Sequence, residues 1–268
     1  MSSKMTNRTI ALAFAVDKGG VGKTTTTLNT AAGLALRGYH VLAIDTDQQA
    51  NLTRTLLDRP PETSLYDSLI HETIPLQRVE VRKNLDLVPA SSKMFGIGIR
   101  LISSQMTKQM RGEVIADYRG ILRRVLAPIR DEYDYILIDC PPSDNIMMFN
   151  ALYAANSVVI VSNPEPYCID GARNFCEIIK TVRDSNHHLG LTGILVTDYE
   201  TGSVGHMEAE KALRHAAPKH VFRTHIRHSR PIYNSVLAHK DIFAYDPKSI
   251  GAIDYSQYIE ELIIRTQK

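Results

Sequence analysis

Lys23 and Thr24 are the residues of this chain whose setting points most directly to chemistry. They lie in the run Asp17-Lys18-Gly19-Gly20-Val21-Gly22-Lys23-Thr24-Thr25. Glycines let backbone N–H groups turn toward a polyphosphate without a Cβ in the way. A lysine directly after the last glycine reaches the β- and γ-phosphates of a nucleotide, and the hydroxyl that follows it sits on Mg²⁺. Gly19, Gly20, Val21, Gly22, Lys23, Thr24 and Thr25 therefore form the candidate phosphate cradle. Two details depart from the general pattern. The generic motif has glycine where this chain has Asp17, and a second lysine, Lys18, precedes the glycine pair. A carboxylate beside phosphates weakens binding unless it points away or pairs with a cation.

Three more acids have the right setting. Asp45 and Asp47 follow the apolar run 41–44, and Asp139 closes the run 135–138. Carboxylates at the C-terminal ends of parallel strands face the crevice where ligands bind. An acid delivered by a buried strand, in register after a phosphate loop, holds Mg²⁺ through water, which gives Asp139 its expected role. Asp47 has a second reading as a helix N-cap. Pro141 and Pro142 stop the strand and begin a loop able to sense a γ-phosphate.

The elements that must position these groups alternate between strand and helix. Residues 10–16, 41–44, 84–89, 135–138, 157–162 and 191–197 read as strands, most of them continuous apolar runs of the buried parallel kind. Residues 25–36 read as a helix closed by Gly38, and 64–70 as a short capped helix. Residues 95–110 and 113–129 read as two surface helices, the second carrying Arg119, Arg123 and Arg124 on a solvated face with Arg130 just beyond. Helices are also expected at 169–183 and 253–265. The pattern predicts an α/β fold, doubly wound, with a mostly parallel twisted sheet and helices on both faces. The 268 residues read as a single domain, with residues 1–8 as a flexible tail.

Composition narrows the class. Hydrophobic residues make up 44%, enough for a buried core. No run of 18 apolar residues suggests a membrane span, and the polar start lacks the apolar core of a signal peptide, so a cytoplasmic protein is expected. Cys140, Cys168 and Cys176 have no metal-type spacing. The net charge of +2 hides an asymmetry: residues 211–240 hold seven Lys and Arg and no acid, so the remainder sums to −5. Such a stretch is either an electrostatic footprint for a polyanion or a solvated basic face. His225 and His228 lie within it but lack nearby acids or cysteines to complete a zinc set.

Residues 18–25, 45–51, 136–142 and 244–252 together resemble the ParA/MinD family of deviant Walker A ATPases, most closely its ParA-type members. The likeness runs from about residue 8 to the end. It implies ATP and Mg²⁺ as cofactors, with Lys18 as the extra lysine that reaches across a dimer to the partner's nucleotide. Lys18, Lys23 and Asp47 then become the candidate catalytic residues, Asp47 positioning the attacking water. Asp45 supports the metal shell with Thr24 and Asp139. Gln48 stands where the family has proline, and residues 163–166 match a proline-rich turn near the dimer face. Thr197 becomes a base-contact candidate, and residues 221–227 a further strand. The resemblance also implies a slow ATPase switch that dimerises on ATP, binds double-stranded DNA nonspecifically and positions a plasmid, chromosome or other cargo. A centromere-binding or cargo adaptor stimulates hydrolysis. Arg223, Arg227 and Arg230 are the expected DNA contacts, unless they line the nucleotide. A nucleoid-associated protein without membrane attachment is expected. Three other readings remain: a MinD-like membrane ATPase, against which the acidic last helix argues; a metabolic enzyme using ATP; and a binding module that never hydrolyses.

Overall fold

The unbroken apolar runs become the middle of a seven-stranded sheet. The computed structural model describes residues 9–59, 61–113, 116–142 and 145–267, so the tail expected at 1–8 lies outside the described residues. The strands are β1 (Ile10–Ala15), β2 (Val41–Asp45), β3 (Val79–Arg82), β4 (Leu85–Val88), β5 (Tyr135–Asp139), β6 (Ser157–Ser162) and β7 (Gly190–Val196). Their order is β3-β4-β2-β5-β1-β6-β7. All neighbours pair parallel except β3 and β4, which form an antiparallel edge hairpin turned at Asn84, whose φ is 66°. Every residue of β2 and β5 is buried, as a strand covered on both faces requires. The predicted doubly wound α/β fold is the one adopted.

Strand order decides where the site lies. From β1 the chain winds out toward β2, and from β6 it winds out the other way toward β7. The crevice beyond the C-terminal ends at such a reversal is where open α/β sheets bind ligands. The loops after β1, β2 and β5 carry the glycines, Asp47 and Pro141, while the last residues of β2 and β5 are Asp45 and Asp139.

Helices cover the faces: α1 (Lys23–Leu36), α2 (Asn51–Leu56), α3 (Leu65–Ile70), α4 (Ile97–Met110), α5 (Ile121–Leu126), α6 (Ile146–Ala154), α7 (Cys168–Arg183), α8 (Val204–Ala216), α9 (Arg230–Leu237), α10 (Ile242–Tyr245) and α11 (Ile250–Thr266). Helix α1 is buried along most of its length even though several of the buried residues are polar. Its threonines satisfy themselves: Thr27 donates to the Lys23 carbonyl at 3.1 Å and Thr30 to that of Thr26 at 2.6 Å. Thr26 also meets the hydroxyl of Tyr255 on α11 at 3.3 Å. Gly33 lets α11 approach closely, since a Cβ there would stand 2.3 Å from Ile259. Gly38, at φ 89°, closes α1 as expected.

Two expectations need correction. The helix expected over 113–129 is broken into a 3₁₀ turn at Tyr118–Gly120, the short α5, and a second 3₁₀ stretch at Ala127–Glu132 that has proline in its first turn. Gly120 and Pro128 interrupt the helix, as their weak helix propensities dictate. Residues 221–227 do not form an eighth strand. They strap the β7 edge through two isolated parallel bridges, Val221 to Ile194 and Arg227 to Tyr199. The apolar Val221, Phe222 and Ile226 turn into the core, while Arg223 remains outside.

Candidate functional site: a phosphate loop beside three buried carboxylates

The glycine loop is built as a cradle. Gly20 and Gly22 have φ values of 75° and 84°, the left-handed region that a Cβ disfavours. Gly22 is the N-cap of α1, so the loop runs into the positive end of a 14-residue helix. Beneath it lies Thr197, just past β7, buried and donating its hydroxyl to the Val21 carbonyl at 2.8 Å. The structure thus places Thr197 as a support of the loop. Asp17 and Gln48, the two unusual residues, are both exposed.

Lys23 is only 6% exposed, and its ammonium donates to the carbonyls of Lys18 at 2.5 Å and Val16 at 3.4 Å. Burial lowers its pKa, while the acidic groups around it, Cys140, Asp139, Asp47 and Asp17, draw it back up. The lysine and the carboxylates therefore share one electrostatic site.

The carboxylates divide into two kinds. Asp45 is fully buried and fully engaged. One oxygen accepts the Thr53 amide at 2.9 Å and the Thr53 hydroxyl at 2.7 Å, and the other accepts the Asp47 amide at 3.1 Å. Burial raises its pKa to about 6. This pattern makes Asp45 the organiser of the turn that carries Asp47. Asp47 accepts the Gln49 amide at 2.9 Å, an Asx-type turn, while the residue at the N-cap of α2 is Ala50. Helix capping is therefore not its role. Asp139 pairs in register with Asp45 across the β2–β5 ladder. One of its oxygens accepts Thr27 at 3.3 Å; the other, Oδ2, is buried without a hydrogen-bond partner. Burial and then the charge of Asp45 push its pKa well up, and the nearby hydroxyl of Thr24 opposes that shift.

Two buried carboxylates, Asp139 and Asp47, lie near one buried ammonium, a third, Asp45, adds its charge to Asp139, and one oxygen of Asp139 is orphaned. A divalent cation fits this imbalance. Among the described residues no three His, Cys, Asp or Glu side chains form a metal cage. Mg²⁺ at nucleotide sites uses one or two protein ligands and takes the others from phosphates and water, so the donor set suits it. Asp139 and Thr24 are the residues that would hold it.

Sequence reasoning missed Thr53 and Glu165. Thr53 gave no signal, since its importance depends on a turn that brings it back to Asp45. Glu165 lay within the turn expected near the dimer face, between two prolines. It forms an ion pair with Lys18.

The basic segment is less free than its count suggests. Arg214 pairs with Glu210 at 2.6 Å. Arg227 binds Asp254 of α11 through Nε at 2.9 Å and Nη2 at 2.5 Å, and its own amide donates to the same carboxylate at 3.0 Å. Asp254 is 3% exposed, so Arg227 is an internal tie and not an open cation for DNA. Arg227→Ala is expected to lower the stability of the fold by about 2 kcal/mol, the worth of a hydrogen-bonded charge left unpaired, discounted for the partial exposure of the arginine. Calorimetric unfolding checks this. Arg223 and Arg230 are exposed.

A family model described as an AAA domain matches residues 7–191. The chain is 33% identical over 260 residues to the sporulation initiation inhibitor protein Soj of Bacillus subtilis, covering 94% of this chain and 97% of that one. It is 33% identical over 259 residues to the chromosome-partitioning ATPase Soj of Treponema pallidum, covering 95% and 97%. The chain belongs to the ParA/MinD-type ATPase family. The fold agrees: cobyrinic acid a,c-diamide synthase of Mycobacterium smegmatis, solved with ADP and magnesium, superposes with a TM-score of 0.79 at 26% identity, covering 97% of this chain and 96% of that one. In this ParA/MinD-type ATPase the family model ends at Leu191, near the start of β7. The strap at 221–227 and helices α8 to α11 lie beyond it, in the part of the chain that the full-length relatives cover.

Proposed function

We propose that this ATPase binds ATP with Mg²⁺, closes on a second copy of itself, binds double-stranded DNA without sequence preference in that state, and releases it after hydrolysis prompted by an adaptor protein. The observation that carries the reading is the orphaned Asp139 oxygen beside Lys23, at the C-terminal edge of a sheet whose first loop is a phosphate cradle. Mg²⁺, held by Asp139 and Thr24, would supply charge compensation to the phosphates. Lys23 and the loop amides hold the β- and γ-phosphates. Asp47, fixed by its turn, orients the attacking water. Lys18 of each subunit neutralises charge on the other's nucleotide. Compensation of charge developing in the transition state is the main tool of phosphoryl transfer.

The name of the Treponema relative carries both ATPase activity and chromosome partitioning, which supports the positioning role. Five cations of the 211–240 segment, Lys211, Lys219, Arg223, Arg230 and Lys240, are exposed and form no ion pair among the described residues. Two copies of that face on one dimer suit phosphate contacts along a duplex. No described helix is long and apolar enough to cross a membrane. The cytoplasm, on the nucleoid, is the place this reading assigns.

The test is DNA binding across a salt series with ADP and with a slowly hydrolysed ATP analogue. Affinity is expected only with the analogue, and it should fall linearly with log salt. Replacing Arg223 and Arg230 by alanine is expected to weaken binding evenly across sequences and to flatten the slope by about one for each phosphate no longer neutralised. An unchanged slope removes both from the interface.

A further inference from the structure

Lys18 does not project freely from the phosphate loop. Its ammonium pairs with one oxygen of Glu165, and the other oxygen of that carboxylate accepts the Asn163 side-chain amide. Glu165 is the better fixed of the two. Pro164 and Pro166 flank it in the turn between β6 and α7. Its amide donates to the Asn163 carbonyl at 2.9 Å, and its carbonyl accepts the Cys168 amide at 3.1 Å. Lysine, by contrast, is a point charge on a flexible four-carbon stem. The turn therefore presents a ready anion, and the lysine comes to it. The two side chains are 49% and 47% exposed. A pair so open to water is weak and exchanges readily.

We propose that Glu165 is a positioning residue for Lys18: in the lone subunit it draws the ammonium onto the β6–α7 turn, and it yields the lysine when the phosphates held by a second subunit compete for it. The proposal rests on the reading that Lys18 is lent across the dimer. It adds a resting place for that lysine and a charge against which closure must work. The Lys18 carbonyl also accepts the Lys23 ammonium, so the docked lysine belongs to the same loop conformation that holds Lys23 when no phosphate competes.

Closure breaks two such pairs, one per subunit. An exposed ion pair shifts an equilibrium by about 1.4- to 5.4-fold, so two shift it by about 2- to 30-fold. Glu165→Gln keeps the side chain's size and the acceptor for Asn163 while removing the charge. Sedimentation with the slowly hydrolysed ATP analogue and Mg²⁺ is expected to show the dimer dissociation constant of Glu165→Gln lowered by about 2- to 30-fold. The gap should narrow in high salt, which screens the pair in the parent protein. Adding Glu165→Gln to Lys18→Gln is expected to change nothing further, whereas a merely structural role for Glu165 would act in both backgrounds. Glu165→Ala repeats the measurement if the glutamine variant folds poorly. An unchanged or weakened dimer for the charge-free variants, alongside a weakened dimer for Lys18→Gln, overturns the latch and leaves the reading of Lys18 standing. A dimer that Lys18→Gln leaves unaltered overturns the underlying reading itself.

Discussion

Lys23→Ala loses nucleotide binding at concentrations that saturate the parent protein. The ammonium is the buried cation beside Asp47 and Asp139, which are buried with it. Without it, incoming phosphates meet carboxylates alone. The missing charge-assisted hydrogen bond and the uncompensated charge each cost on the order of 2–4 kcal/mol, so affinity falls by on the order of 10³-fold or more. Lys23→Arg is not expected to rescue binding, because a planar guanidinium fork does not reproduce the compact point charge that the carbonyls of Val16 and Lys18 hold. Isothermal titration with ATP and Mg²⁺ checks both variants. Retained affinity in Lys23→Ala contradicts the assignment of the loop.

Asp47→Ala acts on the other side of the reaction. It leaves the cradle intact, so ATP still binds, while hydrolysis falls by about 10²- to 10⁴-fold, the usual worth of a positioned acid–base group. The carboxylate is well placed for that role. One oxygen is pinned by the Gln49 amide, and the other makes no hydrogen bond among the described residues. With hydrolysis blocked, the ATP-bound dimer accumulates. Light scattering with ATP should report twice the subunit mass, and nucleotide analysis of the peak should recover ATP and not ADP. A lone subunit under those conditions counts against Asp47 as the water-positioning residue.

Six of the seven strands were legible, the central β1, β2, β5 and β6 because burial on both faces demands largely unbroken apolar runs, which few other structures tolerate. The phosphate loop was legible because close backbone approach to an anion demands glycine at fixed spacing. What stayed hidden depends on contacts between distant residues. The run of seven cations at 211–240 reads as an open patch until Asp254, outside the run, is seen to hold Arg227. The bonds that fix Asp45, from Thr53 to one oxygen and from the Asp47 amide to the other, could not be read from its place at the end of a strand. Residues 221–227 have the apolar content of a strand, yet only two of them bridge to β7 and its following turn, and the adjacent Val221 and Phe222 are both buried instead of alternating faces. The edge strand β3 is half-buried and short, so no apolar run announces it.

Thr197 carries the phosphate loop, and its strand is strapped by residues 221–227. That strap is tied through Arg227 to Asp254, the next residue Tyr255 reaches Thr26, and Thr26 lies on the helix that leaves the loop. The chain of bonds returns to where it began, forming a closed hoop. The expected consequence is cooperativity in local unfolding: amide hydrogen exchange should show the loop, the β7 edge and the last helix opening as one unit and not piece by piece.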